Sequence, residues 1–195
     1  MISRVESAAA TRRALLDAAT GLLNAGGPDA VTLREVGARA GVTRGAPYRH
    51  FSDKDSLLTT IAAEALDRLA DQVRAVRADA EMPPDGRLHH ALSALMTIGR
   101  RQPYLYRLMF AAPAGDPAAV QAAGQAADRA MDEFLAVVSD LVGKRDVRRF
   151  AALLLTSVHG ITDMEASGHL SADKWHVTAD ELVSTLISMI APGDR

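Results

Sequence analysis

Apolar side chains recur at intervals of three and four residues along almost the whole chain, which is the period of a helix packed on one side. No segment alternates with the two-residue period of a half-buried strand. Glycine, proline and capping residues divide the pattern into about nine helices. We therefore predict an all-α fold, with helices at residues 12–25, 32–40, 43–51, 53–80, 87–101, 103–111, 117–142, 147–167 and 178–191.

The second and third predicted helices are joined by a very short turn. Thr32 is a capping residue with Glu35 three positions later, and Gly41 can end this helix in the left-handed backbone conformation. Thr43 then provides a cap for the following helix. Two short helices separated by a turn with glycine are typical of a helix-turn-helix. The alternative is an αα-hairpin in a helical core, against which the polar residues of the second helix argue.

That second helix has an unusual composition for a structural element. Small residues that allow close approach to a groove come first, and hydrogen-bond donors for base edges and phosphates follow. Val42 and Phe51 are the expected anchors to the core. The composition predicts a helix that contacts DNA, with the sequence Arg44, Gly45, Ala46, Pro47, Tyr48, Arg49, His50.

The run VTLREVGARAGVTRGAPYRHFSDKDSLL, at residues 31–58, resembles the DNA-binding signature of the TetR/AcrR family of bacterial transcriptional regulators. The resemblance covers about residues 8–58, and its most specific parts are the Gly-Val-Thr turn and the run from Tyr48 to Phe51. Pro47 departs from the family pattern, which more often has an aliphatic residue there. The resemblance implies that DNA is contacted by Thr32, Arg34, Thr43, Arg44, Gly45, Ala46, Pro47, Tyr48, His50 and Lys54.

The chain of 195 residues is long enough for two modest domains. We predict a three-helix helix-turn-helix domain at residues 8–60 and a helical-bundle domain for ligand sensing and dimerisation at residues 61–195. The first 60 residues carry eight Lys or Arg and six Asp or Glu, and the remainder carries fourteen and eighteen. The positive excess therefore lies in the part that is predicted to bind DNA.

Several protein classes are disfavoured by what the sequence lacks. Without cysteine there is no disulfide and no thiolate metal site, which is compatible with a reducing cytoplasm. No apolar run has the length of a membrane span, and no signal peptide is recognisable, so we expect a cytoplasmic protein without a membrane partner. No Gly-x-Ser-x-Gly sequence or phosphate-binding loop is present, so we expect neither enzymatic activity nor a cofactor.

The C-terminal part resembles the "WHG" class of TetR-type effector domains. The resemblance lies in Ser157-Val158-His159-Gly160-Ile161 and in Glu165-Ala166-Ser167-Gly168, with Val158 at the position of the tryptophan. It implies a domain that senses a ligand and dimerises. Flexible or aromatic residues in this part are candidates for a pocket, although for any single one of them a place in the plain core is favoured. The candidates are Met96, Arg100, Tyr104, Tyr106, Met109, Phe110, His159 and Met164.

The last two predicted helices carry more apolar surface than a monomer of this size requires. One stripe runs from Phe150 to Ile161 and another from Leu182 to Ile190. Two such helices from each subunit would form a four-helix interface with two-fold symmetry. The two helix-turn-helix motifs of the dimer would then recognise a palindromic DNA sequence. The alternative is that both stripes only close the core of the monomer.

These observations predict a DNA-binding transcriptional regulator. Its simplest form is a homodimeric repressor that binds an inverted-repeat operator in double-stranded DNA and is released by a small-molecule effector. The alternatives in the same class are a co-repressor-dependent regulator and an activator. A metal-responsive sensor is a further alternative, because His159 and Asp163 lie one helical turn apart, but the other histidines lack ligand spacing. An architectural DNA-binding protein would not need so large a second domain.

Overall fold

The structure, a computed structural model, describes residues 4–191, which form ten α-helices, one 3₁₀ turn at Pro28–Ala30 and no strand. The prediction of an all-α fold is confirmed. The additional helix is α9, a single turn in a segment without an apolar period. None of the described helices is long and apolar enough to cross a membrane. The helices are α1 (Arg4–Gly26), α2 (Leu33–Arg39), α3 (Pro47–His50), α4 (Lys54–Ala78), α5 (Pro84–Arg101), α6 (Pro103–Phe110), α7 (Pro117–Val142), α8 (Val147–Ala166), α9 (Ala172–Trp175) and α10 (Ala179–Ile190).

The described residues divide into two compact units, each built from two chain segments. The first unit contains the described residues up to Ala65 together with Tyr104–Ala126. The second contains Leu66–Pro103 and the described residues from Ala127 onward. The division inside α4 lies close to the predicted boundary at residue 60. α6 and the start of α7 pack in the first unit, so each unit is discontinuous in sequence.

Helix α1 supplies the centre of the first unit. Leu15 and Leu23 are fully buried, and they lie on one side because they are separated by two helical turns. The helix contacts α2 and α3, and Val36 and Phe51 are buried in the same unit. It begins eight residues before the predicted start at Arg12. Alanine-rich sequence forms helix by intrinsic propensity, so the added turns have no apolar stripe by which they could be recognised.

The loop before α7 is fastened to the first turns of α4 by hydrogen bonds. The backbone N–H of Asp116 donates to Ser56 Oγ at 2.8 Å, and Thr59 Oγ1 donates to the carbonyl of Ala114 at 2.7 Å. Gly115 lies between them at φ +102°, and a Cβ at this position would be 2.4 Å from the backbone N of Ser56. We call these five residues the α4 latch. Glycine is required at its centre, because a side chain would overlap with the backbone of α4.

Two carboxylates, one in the α4 latch and one three residues before Ser56, make the first unit sensitive to acid. The pKa of Asp53 is held below its usual value by a hydrogen bond from the backbone N–H of Ser56, and that of Asp116 by one from the N–H of Ala119. A lowered pKa in the folded state stabilises the protein above the unfolded value, and this stabilisation is lost as the pH falls through the folded value.

We therefore expect Asp116→Asn to lower the urea midpoint of unfolding at pH 7, and this difference from the wild type to shrink at pH 3. Asp85→Asn is a matched control, since Asp85 is exposed in the first turn of α5. A difference for Asp116→Asn that is equally large at both pH values would contradict the assignment.

In the second unit, α5, α8 and α10 pack against one another. Met96 of α5, Val158 of α8 and Val183 of α10 are fully buried. Arg100 joins the three helices, because Nε donates to Glu165 at 2.7 Å and Nη2 donates to Asp180 at 2.8 Å. These bonds raise the pKa of Arg100 above its usual value. The guanidinium therefore remains charged and stabilises the packing of α5, α8 and α10.

Three ion pairs join α4 to α7 within the second unit. The residue numbers of the partners rise together along both helices, so the two helices run in the same direction here. All three pairs are partly exposed, and pairs of this kind contribute about 1 kcal/mol or less each. They hold the two helices in register more than they stabilise the fold. The pairs are Asp67–Arg129, Arg74–Glu133 at 2.7 Å and Arg77–Asp140 at 2.7 Å.

Candidate nucleic-acid interface

The predicted helix-turn-helix is formed by α2, the turn after it and α3. Thr32 caps α2 as expected, since its side chain accepts a hydrogen bond from the N–H of Glu35 at 3.1 Å. Gly41 takes a φ of +67°, a left-handed conformation that glycine adopts without steric cost. α2 and α3 contact each other, and both contact α1. The two short helices are thus held on a common support.

The second helix of the motif is shorter than predicted. It begins at Pro47 rather than Thr43, and Thr43 does not cap it. The reason is that proline has no N–H, so Pro47 cannot donate to the carbonyl of Thr43 as a helix starting there would require. The N–H of Ala46 donates to that carbonyl instead, at 2.9 Å, and closes a turn. Residues 43–46 therefore form an irregular lead into a single helical turn.

The side chains of Ala46 and Pro47 are buried, so the prediction that they face a DNA groove is wrong. Pro47 packs on Gly37 of α2, where a Cβ would lie 2.7 Å from the Pro47 ring carbon Cγ. The absence of a side chain at Gly37 leaves room for the Pro47 ring. Sequence reasoning missed Gly37, although a glycine inside a seven-residue helix is a signal of close packing.

The other predicted DNA contacts are on the surface of the first unit. Tyr48 is 59% exposed, and the side chains of His50 and Lys54 are half-buried. The remaining predicted contacts are all exposed: Thr32, Arg34, Thr43, Arg44 and Gly45. The structure therefore brings eight of the ten predicted residues to the surface around the helix-turn-helix.

The side chains of the cations on this surface lack partners, unlike those of two other arginines of the same unit. The side chains of Arg34, Arg44, Arg49 and Lys54 form no hydrogen bond or ion pair with any residue between 4 and 191. By contrast, the two arginines at the middle of α1 both pair with Glu64, at distances of 3.7 and 3.1 Å. Uncompensated positive charge on one face is the electrostatic property required for contact with a phosphate backbone.

An open cleft of about 630 Å³ lies beside α3, between the start of α1 and the turn of the motif. Its polar lining residues include Ser7, Thr11, Thr43 and Arg49. Ser7 and Thr11 were missed by the sequence analysis because they precede the predicted start of α1. Hydroxyl groups and a guanidinium are donors that suit phosphate oxygens.

The eight residues predicted to bind a ligand are divided equally between the two units. In the first unit Tyr106 and Met109 are buried, Phe110 is 43% exposed, and Tyr104 packs on Gly27. A Cβ at Gly27 would lie 2.8 Å from Tyr104 Cε1. Tyr104 is therefore a packing residue beside the 3₁₀ turn.

In the second unit the predicted ligand residues also have separate environments. Met96 is buried in the core, whereas His159 is exposed and Met164 is 40% exposed. Arg100 is already held by two carboxylates of its own chain, so its charge is compensated. In this unit the candidate ligand residues therefore comprise one core residue, two surface residues and one ion-paired residue. Within residues 4–191 no three His, Asp or Glu side chains are grouped to hold a metal ion.

Comparison with known proteins gives consistent matches over both parts of the chain. Residues 15–61 match the family described as bacterial regulatory proteins, tetR family, and residues 88–190 match the family described as tetracyclin repressor-like, C-terminal domain. A segment of 62 residues, 32% of the chain, is 40% identical to the HTH-type transcriptional repressor Rv1474c of Mycobacterium tuberculosis. It spans only 33% of that relative's length.

Solved structures are similar over almost the full length. A protein of unknown function from Rhodococcus sp. RHA1 is 27% identical with a TM-score of 0.78, over 93% of this chain and 96% of that one. A TetR-family transcriptional regulator from Streptomyces coelicolor is 22% identical with a TM-score of 0.67, over 94% of this chain and 98% of that one. At this identity the second likeness concerns the fold.

Proposed function

Because the chain belongs to the TetR family of bacterial transcriptional regulators and is not an enzyme, we propose that it acts as a homodimeric repressor. In this proposal the dimer binds an inverted-repeat operator and leaves it when a small molecule binds. The observation that carries the proposal is the cluster of unpaired cations on the helix-turn-helix. Such a cluster is electrostatically unfavourable in isolation, and a polyanion compensates it.

The DNA contacts follow from the exposure and chemistry of each side chain. We assign Arg44 to the edge of a guanine, because a guanidinium can donate two hydrogen bonds to it in the major groove. Phosphate oxygens are assigned to the hydroxyls and cations around it, and Arg49, Ser7 and Thr11 of the adjacent cleft are added to these. The proposed phosphate contacts are Thr32, Arg34, Thr43, Tyr48, His50, Lys54, Arg49, Ser7 and Thr11. Gly45 has no side chain, so the protein backbone can approach the DNA closely at this position.

The proposed dimer uses α8 and α10. Each of these helices buries one side in the second unit, and each leaves apolar side chains outside it. Leu153 of α8 is 50% exposed and Met189 of α10 is 78% exposed. Burial of these side chains between two copies would remove apolar area from water and position two readers on one operator.

The proposed release step is a shift between two conformations of the dimer. A ligand can drive it only by binding one conformation more tightly than the other. The α4 latch is a suitable element for transmission, since it connects the segment that contains α6 to the start of α4. Lys54, a proposed phosphate contact, is the first residue of α4. A displacement of the latch would therefore move a DNA contact directly.

Footprinting of the upstream region of the gene tests the proposed operator. We expect protection of an inverted repeat whose half-sites are centred about 34 Å apart along the duplex, or a multiple of that distance. Uniform protection of unrelated DNA would instead support an architectural protein.

The role of Lys54 is tested by the salt dependence of binding. We expect Lys54→Ala to weaken binding to operator and non-operator DNA by a similar factor and to reduce the slope of log K against log salt by about 1 for each subunit. Lys144→Ala is the matched control, since Lys144 is an exposed cation of the second unit. An unchanged slope in Lys54→Ala would remove this residue from the phosphate contacts.

A further inference from the structure

The outer side of α8 carries a pattern that no contact with the other described residues explains. Five residues on this side follow one another at intervals of four and three positions, and all five are exposed. At 100° per residue they fall within an arc of about 80°. They lie on the side of the helix away from Leu154 and Val158, which are fully buried. We call them the α8 outer face: Arg149, Leu153, Thr156, Gly160 and Asp163.

The charges of the α8 outer face lie at its two ends and are opposite. The side chains of Arg149 and Asp163 form no hydrogen bond or ion pair with any residue between 4 and 191. In the second unit, Arg74, Arg77 and Arg129 have carboxylate partners, whereas the side chains of Arg145 and Arg148, like that of Arg149, have none among residues 4–191. Arg149 and Asp163 are about 21 Å apart along the helix, so they cannot pair with each other within one subunit.

Gly160 gives a second, independent indication of a missing neighbour. Glycine inside a helix destabilises it by about 0.5–1 kcal/mol relative to alanine. A Cβ at Gly160 would meet no atom of residues 4–191 within 4 Å, so no contact within this part of the chain requires a glycine here. Glycine at such a position is suited to the close approach of another surface.

We propose that α8 packs against α8 of a second copy in antiparallel orientation, so that Arg149 of each subunit pairs with the partner's Asp163. This inference rests on the proposed homodimer and specifies its register. A two-fold axis near Thr156 relates the helices, and in such an interface a contact between two different positions occurs twice. The same register places Leu153 opposite the partner's Gly160, where there is room for a large side chain. Two ion pairs thus flank an apolar centre.

The charge pattern excludes the parallel arrangement of the same two faces. In a parallel pair, each position meets its own copy, so Arg149 would meet the partner's Arg149 and Asp163 the partner's Asp163. Like charges in contact are destabilising. Only the antiparallel register converts both ends of the face into opposite-charge pairs.

Charge reversal at one end tests the register. In the Arg149→Glu variant, both ends of the α8 outer face carry an acidic side chain. In the Asp163→Arg variant, both ends carry a basic side chain. We expect each variant alone to raise the dimer dissociation constant at least tenfold, since symmetry places two repulsive contacts in every homodimer. Sedimentation velocity over a concentration series gives the constant, and circular dichroism checks that the subunits remain folded.

An equimolar mixture of the two variants gives the decisive result. One subunit with acid at both ends and one with base at both ends regain two attractive contacts, so we expect a heterodimer at least as stable as the wild-type dimer. Damage to the fold of a single variant cannot be repaired by mixing. Arg148→Glu is the matched control, because Arg148 is exposed and carries the same charge but lies about 100° from Arg149 around the helix.

We expect Arg148→Glu to leave the wild-type dissociation constant nearly unchanged and not to form a stable heterodimer with Asp163→Arg. If the mixture of Arg149→Glu and Asp163→Arg stays as weak as either variant, the register is overturned while the dimer itself stands. If the wild type sediments as a monomer at micromolar concentration, the proposed homodimer fails, and the register fails with it.

Discussion

Replacement of Arg44 by alanine is expected to weaken operator binding by roughly 10²- to 10⁴-fold. A bidentate contact between arginine and guanine contributes about 1–3 kcal/mol of discrimination, and the dimer makes this contact once in each half-site. The loss should be confined to the operator, because the phosphate contacts of the variant are intact. The preference for one base pair in each half-site should therefore relax, which binding to a set of single-base operator variants measures.

The control for Arg44→Ala is Lys144→Ala, which removes an exposed cation from the second unit. It should leave both affinity and sequence preference nearly unchanged. If Arg44→Ala weakened binding to every sequence by the same factor, Arg44 would be a phosphate contact and the base contact would have to come from another residue. Thr43 and Tyr48 are the exposed neighbours that could supply it.

The second large effect is expected from Gly115→Ala at the centre of the α4 latch. The new Cβ would lie 2.4 Å from the backbone N of Ser56 and 2.5 Å from its Oγ, and the residue would retain a φ of +102°. Overpacking against backbone and an unfavourable left-handed conformation each destabilise by about 1–3 kcal/mol. We expect the free energy of unfolding to fall by about 2–5 kcal/mol, measured by urea denaturation, with Tm lower by roughly 5–15 °C.

Gly143→Ala separates the two causes of this loss. Gly143 also has a positive φ, of +77°, but a Cβ there would have no neighbour within 4 Å. Its substitution should therefore cost only the backbone strain, on the order of 1 kcal/mol. If the two alanine variants lost equal stability, the close approach of Gly115 to α4 would contribute nothing, and the latch would be a loose contact. If only Gly115→Ala also lost operator affinity, the latch would act on the reader as proposed.

The helices were predictable because their signals are local. A three- and four-residue apolar period and the capping residues around it are contained within each segment, and Thr32 and Thr178 cap α2 and α10 as their sequences indicate. The start of α1 and the whole of α9 were not predicted, because these segments lack such a local signal. Neither segment has an apolar face of its own, so no period marks it.

The candidate site was predictable in its location but not in the direction of every side chain. Pro47 was assigned to a groove through the resemblance to the family's DNA-binding signature, yet its ring fills the space above Gly37. The direction of the Pro47 side chain depends on a contact between α2 and α3. The sequence of α3 alone does not reveal that contact. The α4 latch is a stronger case, because Ser56 and Asp116 are brought together only by the tertiary fold.

The first unit is built from two chain segments, and this determines how its DNA-binding part could be exchanged with that of a related regulator. Exchange of the DNA reader between related regulators would normally cut the chain once, after the helix-turn-helix. Here Tyr104–Ala126 packs with the described residues up to Ala65, so a single cut would separate Gly115 from the Ser56 against which it fits. A functional chimera of this protein should therefore exchange two pieces together, one from each side of α5.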